Sequence, residues 1–446
     1  ALLQAVIRFD TTNPPGNELP LAEYIAGLLD NEGISNTLLV PVPNRAAIVA
    51  RLHGTGTRRP VMLLAHMDVV GVEREKWSSD PFEGAIRGGY LYGRGAIDDK
   101  GMLAANLMTM LLLKRAIDHQ GLTLERDVML VATSDEEAGG QDGMLWLVEN
   151  HRDLLDAEFA INEGGRTRVI DDGKRYLAIQ TAEKVSHMVS ATARGPAGHA
   201  AIPLAGNAVF ALANALGKLS AYREPVTLID TTRKFFSGLA TVWPNPAEAI
   251  AMRDLVSDDP GRAGKGADTL ASVAVFDAVI RNGVSPTRLS GGVAGNVIPA
   301  EATAELNVRT IPGQRIEDVI RRLEACIGDP SIQLEITSHG EEAPASDAGS
   351  AMFRAIANAA RVLDPEMSVV PYLSTGATDS AHLRRLGIES YGILPFPMVQ
   401  ADEERMHGHD ERVPVKSLHF GTRLIYESML EVAAGEQATV GGVTSG

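Results

Sequence analysis

A single cysteine, Cys326, among 446 residues excludes an intramolecular disulfide, and no Cys-x-x-Cys pair or Cys/His cluster is present to hold a structural zinc. Aromatic residues are scarce, 5% of the chain, leaving little with which to stack nucleic-acid bases. Basic residues are outnumbered, 41 Lys and Arg against 57 Asp and Glu, for a net charge of −16. That balance lacks the electrostatic footprint of a nucleic-acid or anionic-membrane binder. Long apolar runs are missing too. The longest, residues 102–113, is interrupted by Asn106 and falls short of the roughly 20 residues a membrane span needs, so it reads as a buried helix. The chain opens on Ala1 and an amphipathic stretch, LLQAVIRF, without the basic-then-apolar layout of a signal peptide. An upstream segment is expected to have been removed or left out, and the compartment, cytoplasmic or exported, stays open.

What is present suits a globular chain: 45% apolar and 22% charged residues, with a length that suggests two or three domains of about 150 residues. Up to residue 183, buried-type strand runs alternate with helical periods, an α/β pattern. VMLLA (61–65), VMLVATS (128–134) and FAI (159–161) read as strands, and residues 99–117 and 143–150 as helices. From residue 184, KVSHMVSATARG and later EATAELNVRTIPG alternate with period 2, as antiparallel strands with one wet face do. Between them lie a helical run, 208–222, and a polar Gly/Asp/Lys-rich stretch, 258–268, that reads as a loop. The expected organisation is an α/β domain from 1–183 and 312–446, including SYGILPF (390–396), interrupted by an α+β insertion at 184–311. Residues 434–446 read as a Gly/Thr/Ser tail.

Each of the three strand runs leads into acidic or histidine chemistry: His66-Met67-Asp68, Asp135-Glu136-Glu137, and Asn162-Glu163. In an open α/β sheet, sites form beyond the carboxyl ends of the strands, so these distant segments can converge. His66 and Asp68, two apart on a strand end, project to one face, which suits an imidazole ligand oriented by a neighbouring carboxylate. Alone, such a pair is more often a surface feature. Gly93-Arg94-Gly95-Ala96-Ile97-Asp98-Asp99-Lys100-Gly101 places two acids in a Gly-rich turn before the long apolar helix. Asp99 is accounted for as a helix cap, whereas Asp98 could bridge two cations. Glu136-Glu137 and Glu163 could each be ordinary exposed acids. Packed together, however, Asp68, Asp98, Glu136, Glu137 and Glu163 would repel and raise one another's pKa values. Divalent cations resolve that conflict, and His/carboxylate ligation without thiolate favours Zn²⁺, with Mn²⁺ or Co²⁺ as substitutes.

The order of motifs resembles a known family. His-x-Asp, Gly-Arg-Gly-x-x-Asp-x-Lys-Gly, Glu-Glu, a downstream acid, Gly198-His199-Ala200-Ala201-Ile202-Pro203, Asn296-Val297-Ile298-Pro299 and a late His407-Gly408-His409-Asp410-Glu411 look like the aminoacylase / glutamate carboxypeptidase / succinyl-diaminopimelate desuccinylase family of di-zinc exopeptidases. The resemblance covers nearly the whole chain and is nearest to the carboxypeptidase S and N-acyl-amino-acid hydrolase branch. It implies a zinc-exopeptidase-like catalytic domain with a mixed sheet between helices, and an inserted lid that also dimerises. His66 and Glu163 would bind one of two zinc ions, Glu137 and His407 the other, and Asp98 both. His407 rather than His409 has the family's spacing to Asp410-Glu411. Glu136 would be the general base acting on a water bridging the metals, Asp68 the partner of His66, and His199 the group that polarises the scissile carbonyl. Asn296, Arg309 and Gly376, the last in Gly376-Ala377-Thr378-Asp379, would contact substrate. A cis peptide between Asp98 and Asp99 is implied as well. The remaining histidines, at 53, 119, 151, 187, 339, 382 and 419, match no motif and read as structural. The expected reaction is hydrolysis of a peptide or N-acyl bond beside a free carboxylate. A two-metal hydrolase of another ester class and a catalytically silent binding relative are the alternatives; the complete set of expected ligands and the base Glu136 count against the silent one.

Overall fold

The computed structural model describes residues 1–170 and 173–434; the tail read at 434–446 lies, past Ala434, outside the described residues. A nine-stranded mixed sheet organises most of the chain. Its strands run in the order Ser35–Leu39, Ala47–Leu52, Val128–Thr133, Val61–His66, Phe159–Asn162, Glu389–Gly392, Arg175–Glu183, Ser368–Ser374, with Arg166–Val169 paired beside Arg175–Glu183. Val61–His66 is parallel to both Val128–Thr133 and Phe159–Asn162, and every residue of these three strands is buried. Such continuous apolar runs are what a strand covered on both faces requires. Successive residues alternate between the faces. Leu63, Ala65, Leu130 and Ala132 pack under helices Lys100–Gln120, Ala351–Leu363 and Val415–Ala434, whereas Met62, Leu64, Met129 and Val131 pack on the other side with Met144, Leu147 and Leu383. Among the described residues no helix is long and apolar enough to cross a membrane.

A second, antiparallel sheet of four strands has the order Gly283–Gly291, Glu301–Thr310, Val185–Arg194, Ile332–Ser338. Burial alternates residue by residue along Val185–Arg194 and Glu301–Thr310, as their period-2 sequences require. Helices Ala208–Ala221 and Ile316–Ile327 cover its inner face.

Two boundaries differ from the sequence reading. The four-stranded sheet does not close at residue 311: helix Ile316–Ile327 and strand Ile332–Ser338 belong to it. Conversely, helices Asp230–Leu239, Pro246–Leu255, Pro260–Leu270 and Ala274–Ile280, inside the presumed insertion, share a core with Tyr176, Ala178, Val370 and Tyr372 of the nine-stranded sheet. An amphipathic helix carries no mark of which sheet it will cover. The stretch 258–268 is likewise helical rather than a loop. Asp259 caps Pro260–Leu270 through the N–H of Arg262, and Gly266 lets that helix approach Pro246–Leu255 closely, since a Cβ there would sit 2.5 Å from the carbonyl oxygen of Ala251. The glycine reports helix–helix contact, not a turn.

Candidate metal centre

The three central strands end side by side, with His66 opposite Thr133 in the parallel register. Beyond those ends the chain delivers Asp68, Glu136 with Glu137, and Glu163. Asp98 comes from the turn preceding helix Lys100–Gln120, and the Asp98-Asp99 peptide is cis. His407 comes from the segment before strand Arg412–Pro414, which pairs with Tyr90–Tyr92 and so brings that segment beside residues 93–98.

Asp98 lies at the centre. Its Oδ1 is 3.0 Å from His66 Nε2 and its Oδ2 is 3.0 Å from His407 Nε2. His407 Nε2 is also 3.3 Å from Glu137 Oε1. Two groups with metal-ligand spacing result, His66–Asp98–Glu163 and Asp98–Glu137–His407, the candidate ligand atoms in each lying within 4.8 Å of one another. Both contain Asp98. Glu137 Oε1 is buried and accepts no hydrogen bond, an arrangement suited to a cation. His66 Nδ1 donates to the carbonyl oxygen of Asp68 (3.0 Å), which leaves Nε2 as the atom turned toward Asp98. His409, the alternative to His407, is turned outward, 4.0 Å from Glu73.

The electrostatics suit positive charge. Burial works against a charged His66, but hydrogen bonds to Asp68 and Asp98 raise its pKa well above the ordinary value. His407 is pushed up to about 10 by Asp98 and Glu137. Burial would raise Asp98, yet hydrogen bonds from His407 and His66 hold it well below the usual carboxylate range. Burial, with Asp379, Asp98 and Glu137 nearby, pushes Glu136 well up, and burial with Asp98 and Glu136 does the same to Glu163. The field that favours protons on these imidazoles and carboxylates also favours cations between them.

Asp68 is buried and accepts the N–H groups of Glu136 (3.2 Å) and Glu137 (3.1 Å), so it fixes the turn carrying that pair while its Oδ1 lies 3.4 Å from His66 Nδ1. Other contributors escaped the sequence reading. Glu411, there only a spacing marker, takes Arg94 Nη1 (2.7 Å) and the N–H groups of Gly95 (3.0 Å), Ile97 (2.7 Å) and Asp98 (3.2 Å). Arg94 in turn donates to the carbonyl oxygen of Gly408 (2.9 Å), tying the Asp98 turn to the His407 segment. Asp379, buried and pushed up to about 7 by burial, accepts Thr133 Oγ1 at 3.0 Å. All three stand inside motifs the sequence reading quoted, but nothing along the chain shows which groups they face.

The four remaining sequence-derived candidates have partners outside the cluster. His199 is exposed on the short strand Gly198–His199 paired with Val297–Ile298, and its Nδ1 accepts the N–H of Ala201 (3.1 Å). Asn296 is exposed, its carbonyl oxygen accepting the N–H of Ala200. Arg309, on the four-stranded sheet, donates through Nε to Asn307 (2.9 Å), while its Nη1 is buried without a partner. Gly376 donates its N–H to Ser374 Oγ (3.2 Å). Among the described residues, no hydrogen bond or ion pair joins these four to the carboxylate cluster.

Comparison with known proteins gives the family. The profile of Peptidase family M20/M25/M40 matches residues 62–431. The chain is 27% identical over 367 residues to the "Probable carboxypeptidase S-like 2" of Dictyostelium discoideum, covering 80% of this chain and 69% of that one. It is 28% identical over 370 residues to the "N-fatty-acyl-amino acid synthase/hydrolase PM20D1" of Xenopus tropicalis, covering 80% and 70%. In fold it is similar to the crystal structure of an M20 family metallo-carboxypeptidase, Sso-CP2 from Sulfolobus solfataricus, with TM-score 0.71 at 19% identity over 96% of this chain and 97% of that one. The chain belongs to peptidase family M20/M25/M40 and is an enzyme, a hydrolase of that family.

Proposed function

We propose that the cluster holds two divalent cations, zinc by preference, and hydrolyses a peptide or N-acyl bond beside a free carboxylate. The observation that carries this reading is Asp98, whose two carboxylate oxygens each face a different histidine at 3.0 Å. Bound there, the cations would supply Lewis-acid polarisation and a water of lowered pKa. Glu136 is half-buried beside the cluster with a raised affinity for protons, as a base that must accept one and pass it on requires. It takes a proton from the attacking water and delivers it to the nitrogen of the leaving amine as the C–N bond breaks. His199 has a fixed tautomer: with Nδ1 accepting from Ala201, Nε2 carries the hydrogen and can donate to the developing oxyanion. The partnerless Nη1 of Arg309 suits the substrate's free carboxylate, and Asn296 and Gly376 would contact the substrate as the family resemblance implies. The names of the carboxypeptidase S-like and N-fatty-acyl-amino acid relatives support this substrate class.

The test is a hydrolysis screen over N-acyl amino acids, dipeptides and phosphate esters, on apoprotein and on protein reconstituted with Zn²⁺, Mn²⁺ or Co²⁺. Metal-dependent turnover of amides with a free carboxylate is expected. Turnover of phosphate esters alone, or indifference to strong chelators, overturns the reading.

Because His199 lies apart from the cluster, catalysis on this reading needs either a movement of the four-stranded sheet or a second subunit. The exposed edge strand Gly283–Gly291, together with exposed Phe210, Leu289 and Val293, supports a homodimer through this part of the chain. Mixing His199→Ala subunits with Glu136→Gln subunits separates the two routes. If His199 serves the partner's site, a mixed dimer contains one intact site and regains activity. With subunit exchange verified, absence of recovery eliminates donation across the dimer.

A further inference from the structure

Asn13 lies far in sequence from every motif, yet its buried side chain reaches the floor of the metal centre. Its Nδ2 donates to Asp68 Oδ2 (2.8 Å) and Asp135 Oδ1 (3.1 Å), while its Oδ1 accepts Arg45 Nη2 (2.8 Å). Arg45 is buried, and its Nη1 lies 2.9 Å from Asp135 Oδ1 and 3.2 Å from Glu18 Oε1. A guanidinium can only donate, so it must meet the oxygen end of the Asn13 amide. The NH₂ end is thereby forced toward the carboxylates.

The loop is shaped to hold that guanidinium. The carbonyl oxygen of Pro15 accepts Arg45 Nη2 at 3.0 Å. Gly16, at φ +85°, leaves room that a Cβ would close, since it would sit 2.5 Å from Arg45 Cζ. Asp68, at the other end, receives the Glu136 and Glu137 N–H groups and faces His66 Nδ1. All of those contacts come from the segments Asp68 serves. Asn13 brings the independent anchor that sets how its carboxylate is turned.

We infer that Asn13 is a positioning residue of the metal centre: oriented by Arg45, it fixes Asp68, and through Asp68 both His66 and the Glu136–Glu137 turn. The inference rests on the two-cation reading above. Asp68 is one step removed from the ligand His66, where such partners change metal affinity or activity by about 10–100-fold, and Asn13 acts through it at the lower end of that range.

Asn13→Asp provides the discriminating test. It is nearly isosteric and keeps an acceptor for Arg45, so a loop that is merely anchored should tolerate it. It also replaces the donor facing Asp68 and Asp135 with an acceptor. Zinc stoichiometry and affinity by chelator competition, the visible spectrum of the Co²⁺-substituted protein, kcat, KM and circular dichroism would be measured, with Asn13→Ala in parallel. The expected result is native circular dichroism, about 10-fold or more weaker binding of at least one ion, a shifted Co²⁺ spectrum, and a comparable fall in kcat with little change in KM. Asn13→Ala should change the same quantities in the same direction and carries the test if Asn13→Asp does not fold. Folded variants matching wild type in zinc affinity, spectrum and kcat overturn the inference, as does loss of the fold in both. Fewer than two ions bound by wild type would instead overturn the reading beneath it.

Discussion

Glu136→Gln is expected to retain both cations and to lose turnover on the order of 10²-fold or more, as removal of a positioned general base does. The amide is nearly isosteric with the carboxylate, and the backbone N–H of residue 136 still has Asp68 Oδ1 at 3.2 Å to hold the turn. What disappears is a group able to accept a proton from water and return it to the leaving nitrogen. Glu137→Gln is the control: its carboxylate faces His407 at 3.3 Å within one of the ligand groups, so its loss should weaken metal binding. Metal content by elemental analysis and kcat on one amide substrate, measured for both variants, check the assignment. Equal loss of metal and of activity in the two would show that base and ligand have been assigned wrongly within the pair.

Asp98→Asn should be the most damaging single change for metal content. Asp98 is the residue common to both ligand groups, and as a carboxylate it places negative charge between His66 and His407. An amide offers one oxygen and no charge, so one of the two histidines faces an NH₂ group. We expect no more than one ion retained and activity reduced on the order of 10³-fold, corresponding to several kcal/mol of lost transition-state stabilisation. The fold should survive, because Glu411 holds this turn through the N–H groups of Gly95, Ile97 and Asp98 rather than through the Asp98 side chain. Two ions retained at wild-type affinity would exclude Asp98 as the shared ligand.

The sequence alone determined the α/β core and pointed to most of the residues that the fold gathers into the cluster. Strands buried on both faces must be continuously apolar, and polar residues can follow only where such strands end. VMLLA, VMLVAT and FAI therefore pointed to their own carboxyl ends, and the residues beyond them meet there. Charge contributed the next step, since so many acids on neighbouring strand ends require compensation. The choice of His407 over His409 came from the family resemblance, and of those two it is His407 that faces Asp98, while His409 lies 4.0 Å from Glu73.

Tertiary structure alone decided the contacts made at a distance. Asn13 and Arg45 are ordinary polar residues, and Arg94, Asp379 and Glu411 stood out only as members of motifs with no role assigned; each acquires its role from the group it faces. The same holds for helices 230–280 and for residues 316–338, whose amphipathic patterns show that a face is buried but not which sheet buries it. The Gly-rich stretch 258–268 was misleading for a related reason: a glycine such as Gly266 that permits close helix packing is indistinguishable, in a single sequence, from one that makes a turn. Periodicity and strand ends are local consequences of backbone geometry and can be read along the chain. Which polar group satisfies another across the fold is settled only when burial removes water as a competing partner.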